Sequence, residues 1–252
     1  MTARTTPQAD GTPVWRDFWT TDPESVGTLL TGLFGCTIAQ VGPEPGYSVA
    51  ELPQGALCGI GPATPEEAPK DVACLFLAAA DVRAVHARAL ELGAREAIGP
   101  MEVGPTGSFS TVVDPTGAIV SLWQAGEQVG YAAVDEPGFP CWQSLHTTDV
   151  DAACAFYGDL FGFTWEDGPS EGSKVAMRGE DALFDVAPAG DCGMSVWFQY
   201  QMVEDLEASL TRAKELGCTE GDRVQAPFGT WVDLETDGGA FIGLVQMGGP
   251  QG

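Results

Sequence analysis

Apolar and polar side chains alternate along many short segments of this chain, the pattern that indicates half-buried β-strands. The segments are bounded by turn-forming residues, above all Gly, Pro and Asp. The predicted strands cover residues 13–20, 47–52, 56–60, 72–79, 108–113 and 118–124 in the first half, and residues 140–147, 174–178, 182–186, 195–201, 230–234 and 241–246 in the second. The chain is therefore predicted to be rich in short strands.

Helix signals lie between these strands. Asp22, followed by Pro23, is suited to cap the beginning of a helix that ends near Gly35, and Asp149 is suited to cap one that ends near Gly162. The other two predicted helices span residues 81–92 and 203–216, each followed by a glycine suited to a left-handed C-terminal cap. The sequence thus predicts four helices, two in each half.

The second half of the chain repeats the first. A shift of 127 positions places Trp15 on Trp142, and the triplets TTD and LFG both recur at that offset. Two copies are too few for a solenoid, so we predict a duplicated compact module. The predicted boundaries are residues 11–125 for the N-terminal module, residues 126–138 for the linker and residues 139–247 for the C-terminal module.

Two segments carry a resemblance to a known family. The pattern TTDxxxxxxFYxxLFGF at residues 147–163 and the segment VVDPTGAIVSLWQ at residues 112–124 resemble the vicinal oxygen chelate superfamily of glyoxalases, bleomycin-resistance proteins and extradiol dioxygenases. More narrowly, they are similar to its fused two-module actinobacterial members. The resemblance implies an α+β fold of two tandem glyoxalase-like modules, built from βαβββ units with curled mixed sheets and outer helices.

The resemblance also implies where metal ligands would stand. In the superfamily they lie on the first and last strands of each copy, which here hold Trp15, Ser121, Trp142 and Gly243. None is a suitable ligand, because indole only donates hydrogen bonds, glycine has no side chain and a single serine hydroxyl binds divalent metals weakly. We therefore predict no metal site and no cofactor.

Aromatic and polar side chains occupy the strand positions that the resemblance turns toward a cavity. On the first strands, alternation places Trp15, Asp17 and Trp19 on one face in the first copy, and Trp142, Ser144 and His146 on one face in the second. Further candidate lining residues are Ser121, Trp123, Trp197, Gln199 and Trp231. Flat indole surfaces with few polar groups suit an aromatic or polycyclic small molecule, and a cationic ligand gains further from the ring faces.

Asp17 and His146 are the candidate catalytic residues. An imidazole changes charge near neutral pH, and a carboxylate between two inward indoles is either paired or waits for a ligand. If the two side chains meet across the module interface, they form an acid–base pair; alternatively they belong to an unusual metal site. The structural alternatives are a core histidine and an aspartate bonded to backbone or to Arg16.

Charge and cysteine content exclude several classes of partner. Eleven Lys and Arg stand against 36 Asp and Glu, so the formal net charge is −25, which disfavours nucleic acid and anionic membranes. The seven scattered cysteines contain no CxxC pair and indicate neither a disulfide framework nor a zinc site. No apolar segment is long enough to span a membrane. We expect a cytoplasmic protein that is a monomer or a homodimer.

Two function classes remain from the sequence. The first is metal-independent binding of a hydrophobic aromatic natural product or antibiotic, for sequestration or self-resistance. The second is a cofactor-free lyase, isomerase or cyclase of secondary metabolism that uses Asp17 and His146 as acid and base. A metal-dependent glyoxalase or dioxygenase is disfavoured by the four ligand positions. The sequence favours binding slightly and leaves open whether the protein is an enzyme.

Overall fold

Two eight-stranded mixed sheets form most of the protein in the computed structural model, which describes residues 2–41, 46–64, 70–190, 193–226 and 229–248. Each sheet comes from one half of the chain and consists of two βαβββ units. The predicted α+β fold of two tandem glyoxalase-like modules is confirmed.

The N-terminal sheet has the strand order β3-β4-β5-β2-β6-β9-β8-β7. Its elements are β2 (Pro13–Thr20), α1 (Pro23–Phe34), β3 (Thr37–Val41), β4 (Tyr47–Leu52), β5 (Gly55–Pro62), β6 (Val72–Ala78), α2 (Val82–Glu91), β7 (Arg95–Glu102), β8 (Gly107–Val113) and β9 (Ile119–Ala125). The two units meet at β2 and β6, which are antiparallel neighbours.

The C-terminal sheet repeats this arrangement in the order β12-β13-β14-β11-β15-β18-β17-β16. Its elements are β11 (Pro140–Thr147), α3 (Val150–Phe161), β12 (Thr164–Asp167), β13 (Lys174–Arg178), β14 (Asp181–Pro188), β15 (Val196–Met202), α4 (Leu206–Glu215), β16 (Thr219–Ala226), β17 (Gly229–Glu235) and β18 (Phe241–Met247). Two further short strands, β1 (Thr2–Ala3) and β10 (Ala133–Val134), pair with each other.

The four predicted helices are present, and aspartates cap them as expected. Asp22 accepts a hydrogen bond from the backbone N–H of Ser25 at 3.1 Å, and Asp149 accepts one from Ala152 at 2.9 Å. Gly35 and Gly162 end α1 and α3 in the left-handed conformation, with φ of 67° and 75°. The last helix begins three residues later than the predicted residue 203, because its capping residue is Asp205.

The helices pack in pairs across the boundary between the two sheets. Leu29 and Leu30 of α1 share a hydrophobic core with Leu206 and Leu210 of α4, while α2 and α3 meet in a second core. These cores lie between the two sheets and cover one face of each, so each sheet keeps its opposite face, here called the inner face, for different contacts. The helices therefore fix the sheets in position without occupying the inner faces.

Arg16 is buried between the sheets, on the face of β2 opposite to Asp17. Its Nη2 donates a hydrogen bond to the carbonyl of Phe241, and its guanidinium carbon lies 4.5 Å from the centre of the Phe18 ring. Burial lowers its pKa to about 10. Because Arg16 reaches the other module, it is not the partner of Asp17 that the sequence allowed.

Edge strands are the main elements that the sequence analysis missed. The strands β3, β7, β12 and β16 were not predicted, and they are the outermost strands of the two sheets. Most of their side chains are exposed, so they lack the alternation on which the prediction depended. A three-residue 3₁₀ helix occupies Gly104–Thr106.

The cysteines and the helix lengths bear on the predictions made from the sequence. The six cysteines within the described ranges are free; Cys36, Cys58, Cys74 and Cys218 are buried, and Cys141 and Cys154 are half-buried. In the same ranges, every helix is too short or too polar to cross a bilayer.

Candidate functional site

The inner face of the C-terminal sheet encloses a cavity of about 820 Å³. Its walls include Trp142, Tyr200 and Trp231, together with apolar side chains from β13, β14 and β18. Cavities of about 300–1,000 Å³ are typical of small-molecule sites. The cavity is thus large enough for a drug-sized ligand.

Strand register explains why these side chains share one face. In the antiparallel pair β11–β15, Trp142 lies opposite Tyr200 and Ser144 opposite Phe198. In the parallel pair β11–β14, Ser144 aligns with Asp185. Residues that are directly opposite point to the same side of a sheet, so one wall combines aromatic rings with polar groups.

Asp185 is the most enclosed carboxyl group of the cavity, with 5% of its surface exposed. The indole N–H of Trp142 donates to its Oδ1 at 2.6 Å, and the Ser144 hydroxyl donates to its Oδ2 at 2.9 Å. Burial raises the pKa of Asp185 to about 6, while the two hydrogen bonds lower it. This carboxyl group therefore changes charge near neutral pH.

A second carboxyl group lies across the cavity on β17. The Tyr200 hydroxyl donates to Oδ1 of Asp233 at 2.7 Å, and burial raises the pKa of Asp233 to about 6. The negative charges of Asp222 and Asp185 raise it further, which places all three carboxyl groups in one electrostatic environment. Burial raises the pKa of Tyr200 well above its ordinary value, so its hydroxyl remains a donor.

Glycine at position 243 allows Tyr200 to adopt this position. A Cβ atom at Gly243 would lie 2.2 Å from Cδ1 of the Tyr200 ring, closer than atoms can approach. The ring therefore lies directly over the glycine backbone of β18. One of the four positions at which the superfamily resemblance implies a metal ligand is thus covered by a tyrosine ring.

His146 lines the same cavity at the other end of β11. Its ring centre is 4.4 Å from that of Phe198, and burial lowers its pKa, an effect that the charge of Asp222 opposes. The imidazole is therefore neutral over more of the pH range than a free histidine. It is available to accept or donate a proton within the cavity.

Four of the predicted site residues line this cavity: Trp142, Ser144, His146 and Trp231. Trp197 and Gln199 lie on the opposite face of β15, since Leu145 and Gln143 are their neighbours on β11. Trp197 packs in the core against Tyr157 and Phe184, with ring centres 5.6 and 5.1 Å away. The predicted cavity role of Trp197 and Gln199 is therefore wrong. The reason is that alternation separates the two faces of a strand but does not identify which face turns toward the cavity.

The remaining candidates lie on the N-terminal sheet. Asp17 is buried and accepts hydrogen bonds on Oδ1 from the indole of Trp15 at 2.8 Å and the hydroxyl of Tyr47 at 2.5 Å. Burial raises its pKa to about 6. Asp17 does not line the C-terminal cavity that contains His146, so the structure does not bring the proposed acid–base pair together there.

The other three candidates of this sheet make internal contacts. Trp19 packs over Gly61, where a Cβ atom would lie 2.4 Å from the indole. Ser121 is buried 2.7 Å from the Thr111 hydroxyl, and Trp123 donates to the carbonyl of Gln128 at 2.9 Å. They share one sheet face with Trp15, as the strand registers show. The polar side-chain atoms of Ser121 and Trp123 are therefore engaged within the protein.

The sequence analysis missed Asp185 and Tyr200 as site residues. Both occur on predicted strands. Asp185 could have been found because it is an acidic residue within an otherwise apolar strand, and a buried charge is costly unless the protein or a ligand compensates it. Tyr200 required knowledge of which face of β15 turns inward. The sequence did not provide that information.

The donor positions of the superfamily do not fit a metal ion here. Trp15, Ser121, Trp142 and Gly243 offer one hydroxyl among them, and that hydroxyl is bonded to Thr111. Across the described ranges, no group of three or more His, Cys, Asp or Glu side chains is arranged to hold a metal. We therefore derive no chemistry through a metal at this site.

Comparison with known proteins yields curated relatives, although no family model matches the chain. "Putative glyoxylase CFP32" of Mycobacterium bovis is 32% identical over 224 residues, which cover 82% of this chain and 83% of the relative. "Anthracycline biosynthesis protein DauV" of Streptomyces sp. is 26% identical over 95% of this chain and 94% of its own length. The match in both cases extends over both modules.

Solved structures share the fold at low identity. The Mn(II)-bound glyoxalase from Novosphingobium aromaticivorans superposes with a TM-score of 0.67 at 15% identity, over 94% of this chain and 82% of that structure. The 2,3-dioxygenase LapB from Pseudomonas sp. KL28 gives 0.66 at 12% identity, over 98% and 96%. Together with the glyoxylase relative, these matches show that the chain belongs to the vicinal oxygen chelate superfamily.

Proposed function

We propose that the C-terminal cavity binds a planar or polycyclic aromatic small molecule without the help of a metal ion. The observation that carries the proposal is the cavity of about 820 Å³ with Trp142, Tyr200 and Trp231 in its walls. Rigid rings cover much of a flat ligand at a low entropic cost. Binding of this kind needs only shape and stacking.

The curated relatives support a role in secondary metabolism. DauV and DnrV are described as anthracycline biosynthesis proteins, and both align with 95% of this chain. We infer that the ligand is a natural product or antibiotic, and that binding sequesters it or protects the cell that makes it. In this proposal the protein acts in the cytoplasm as a monomer or a homodimer.

Tryptophan fluorescence tests the proposal directly. The purified protein is titrated with an anthraquinone, a naphthoquinone and a flavonoid, and with an aliphatic compound of similar size as a control. Saturable quenching by an aromatic compound, unchanged after treatment with a chelator, is expected because Trp142 and Trp231 line the cavity. Absence of saturable binding by every aromatic compound would overturn the proposal, and loss of binding in chelator would overturn its metal-free form.

A cofactor-free lyase, isomerase or cyclase is the second candidate function. Asp185 and Asp233, whose pKa values burial raises to about 6, line one cavity together with His146, whose pKa burial lowers, and carboxyl and imidazole groups are the usual general acids and bases. In this second candidate function, Asp185 acts with His146 as the acid–base pair, the role that was predicted for Asp17 from the sequence. Product analysis on any compound that binds separates the candidates, because a binding protein returns the compound unchanged and an enzyme does not.

A further inference from the structure

The carboxyl groups of the cavity give information about the charge of its ligand. Its lining includes Asp135, Glu166, Glu171, Asp185, Asp222 and Asp233, whereas none of the described lining residues is a lysine or arginine. The cavity itself, with its aromatic walls, identifies the site. The carboxyl groups restrict which aromatic compounds are suited to it.

The two interior carboxyl groups are more informative than those at the rim. Glu166, Glu171 and Asp222 are exposed, as expected for a chain with a net charge of −25, and would be acidic in any case. Asp185 and Asp233 instead stand among apolar side chains, where an ionised carboxylate is costly unless a donor or cation compensates it. A ligand that supplies a positive charge removes that cost.

Neither interior carboxyl group is saturated by its protein partners. Asp185 accepts from Trp142 and Ser144, and Asp233 accepts from Tyr200. An ionised carboxylate offers about four lone-pair positions, so both groups can accept further hydrogen bonds from a ligand. The aromatic rings beside them favour a cation as well, because the face of an indole or phenol ring is electron-rich.

We propose that the ligand of this cavity carries a protonated amine, which lies between Asp185 and Asp233 while the planar part of the ligand contacts Trp142 and Trp231. This inference rests on the proposed binding function and specifies its ligand class, an amine-bearing aromatic compound. The acidic rim adds attraction at a distance and speeds the capture of such a cation, an effect that salt weakens. Anionic aromatic compounds are excluded by the same charges.

Three tricyclic probes test the inference by calorimetry at pH 7.5 in low salt. They are 9-aminoacridine, which is cationic, acridone, which is neutral, and anthraquinone-2-sulfonate, which is anionic. We expect 9-aminoacridine to bind about tenfold more tightly than acridone, the usual effect of one hydrogen bond to a charged group, and the sulfonate not to bind. Added salt should weaken only the cationic probe.

Variants connect the preference to the two carboxyl groups. D185N and D233N should each remove most of the tenfold preference while leaving acridone affinity unchanged, since asparagine keeps the size of the side chain. D159N is the matched control, because Asp159 is an exposed residue of α3 outside the cavity. Circular dichroism verifies that each variant folds, and if one does not, the other carries the test.

The outcomes distinguish this inference from the function on which it rests. Equal affinity for acridone and 9-aminoacridine would overturn the cationic ligand and leave aromatic binding intact. A preference that survives in both D185N and D233N would also overturn it. If none of the three probes binds and the wider aromatic panel also fails, the proposed function and this inference fall together.

Discussion

The indole N–H of Trp142 donates a 2.6 Å hydrogen bond to Asp185 on the neighbouring parallel strand. The equivalent indole of the first module, Trp15, donates at 2.8 Å to Asp17, which stands on the same strand two residues later. In the first sheet, Asp17 of β2 aligns with Gly59 of β5. In the second sheet, Ser144 stands at the position equivalent to Asp17 and aligns with Asp185 of β14. The two modules thus keep one tryptophan–carboxylate contact but take the carboxylate from different strands.

This exchange gives the two carboxyl groups different surroundings. In the first module the hydroxyl of Tyr47 lies over Gly59, where a Cβ atom would be only 1.8 Å from it, and binds Asp17. In the second module, Asp185 itself occupies the position of that glycine and lines the cavity. The carboxylate of the first module is therefore buried beside Tyr47, whereas that of the second lines the cavity.

The first prediction concerns the hydrogen bond between Trp142 and Asp185. In W142F the aromatic ring remains but the N–H donor is lost, and because that donor lowers the pKa of Asp185, the pKa should rise above its present value of about 6. An NMR titration of the Asp185 carboxyl carbon measures the change. W197F, which alters a core indole outside the cavity, is the control. An unchanged pKa in W142F would show that the indole N–H does not lower the pKa of Asp185.

The second prediction concerns the pH dependence of cation binding. Asp185 and Asp233 have pKa values of about 6 in the free protein, and a bound cation favours their ionised forms. Binding therefore releases protons below that pH, and affinity for 9-aminoacridine should rise as pH increases from 5 to 7, by about tenfold in all, which is its whole preference over acridone. Protonated His146 opposes the cation at low pH and acts in the same direction.

Acridone provides the control for this pH dependence. Because it is neutral, its affinity should not rise over the same range. Calorimetry in two buffers of different ionisation enthalpy counts the protons that are released. A flat profile for 9-aminoacridine, with no proton release near pH 6, would contradict the assignment of these carboxyl groups to the cation.

Much of the fold followed from sequence patterns that have a direct physical cause. Alternation located the central strands, and the capping aspartates Asp22 and Asp149 located two of the helices, because both features are local. The edge strands β7 and β16 could not be found in this way. Their pairing with β8 and β17 depends on the rest of the sheet, and their side chains are largely in water.

The site was less predictable than the fold, because it depends on contacts between strands that are distant in the sequence, and no local pattern reveals such contacts. Trp142 and Trp197 are similar strand tryptophans in the sequence, but one lines the cavity and the other packs against Tyr157. Which face turns inward is decided by where α3 packs. The pairing of Asp185 with Trp142 joins two strands that are 43 residues apart in the chain. Such contacts are specified by topology.

The third prediction uses those two kinds of tryptophan as a matched comparison. W231A should weaken binding of aromatic probes about tenfold, since one stacking surface of the cavity is lost. W197F should leave binding unchanged but lower the free energy of unfolding by about 0.5–3 kcal/mol, because it disturbs a packed core. Fluorescence titration and urea denaturation measure the two effects. The reverse pattern would place the ligand elsewhere.

The fourth prediction concerns the close contact between Gly243 and Tyr200. In G243A the new methyl group would meet the tyrosine ring at 2.2 Å, so the ring must move away and its hydrogen bond to Asp233 is lost. Overpacking of this kind costs about 1–3 kcal/mol of stability. G27A is the control, because a Cβ atom there finds its nearest neighbour at 3.4 Å and alanine favours the helix. Equal stability of G243A and the wild type would contradict the contact.

The fifth prediction concerns Asp17 and the pH dependence of folding. Its pKa is about 6 in the folded protein against 3.8 without burial, so between these pH values the folded state holds a proton that the unfolded state has lost. The contribution of Asp17 to stability is therefore neutral below about pH 4 and becomes unfavourable as pH rises from about 4 to about 6, by about 3 kcal/mol in total. D17N keeps the side-chain size and removes this titration.

Urea denaturation of both proteins at a series of pH values measures the effect. The free energy of unfolding of D17N relative to the wild type should increase between pH 4 and pH 7 and then stay constant. D159N, which removes an exposed carboxyl group of α3, supplies the comparison. A difference between D17N and the wild type that is the same at pH 4 and pH 7 would mean that Trp15 and Tyr47 hold Asp17 ionised in spite of its burial.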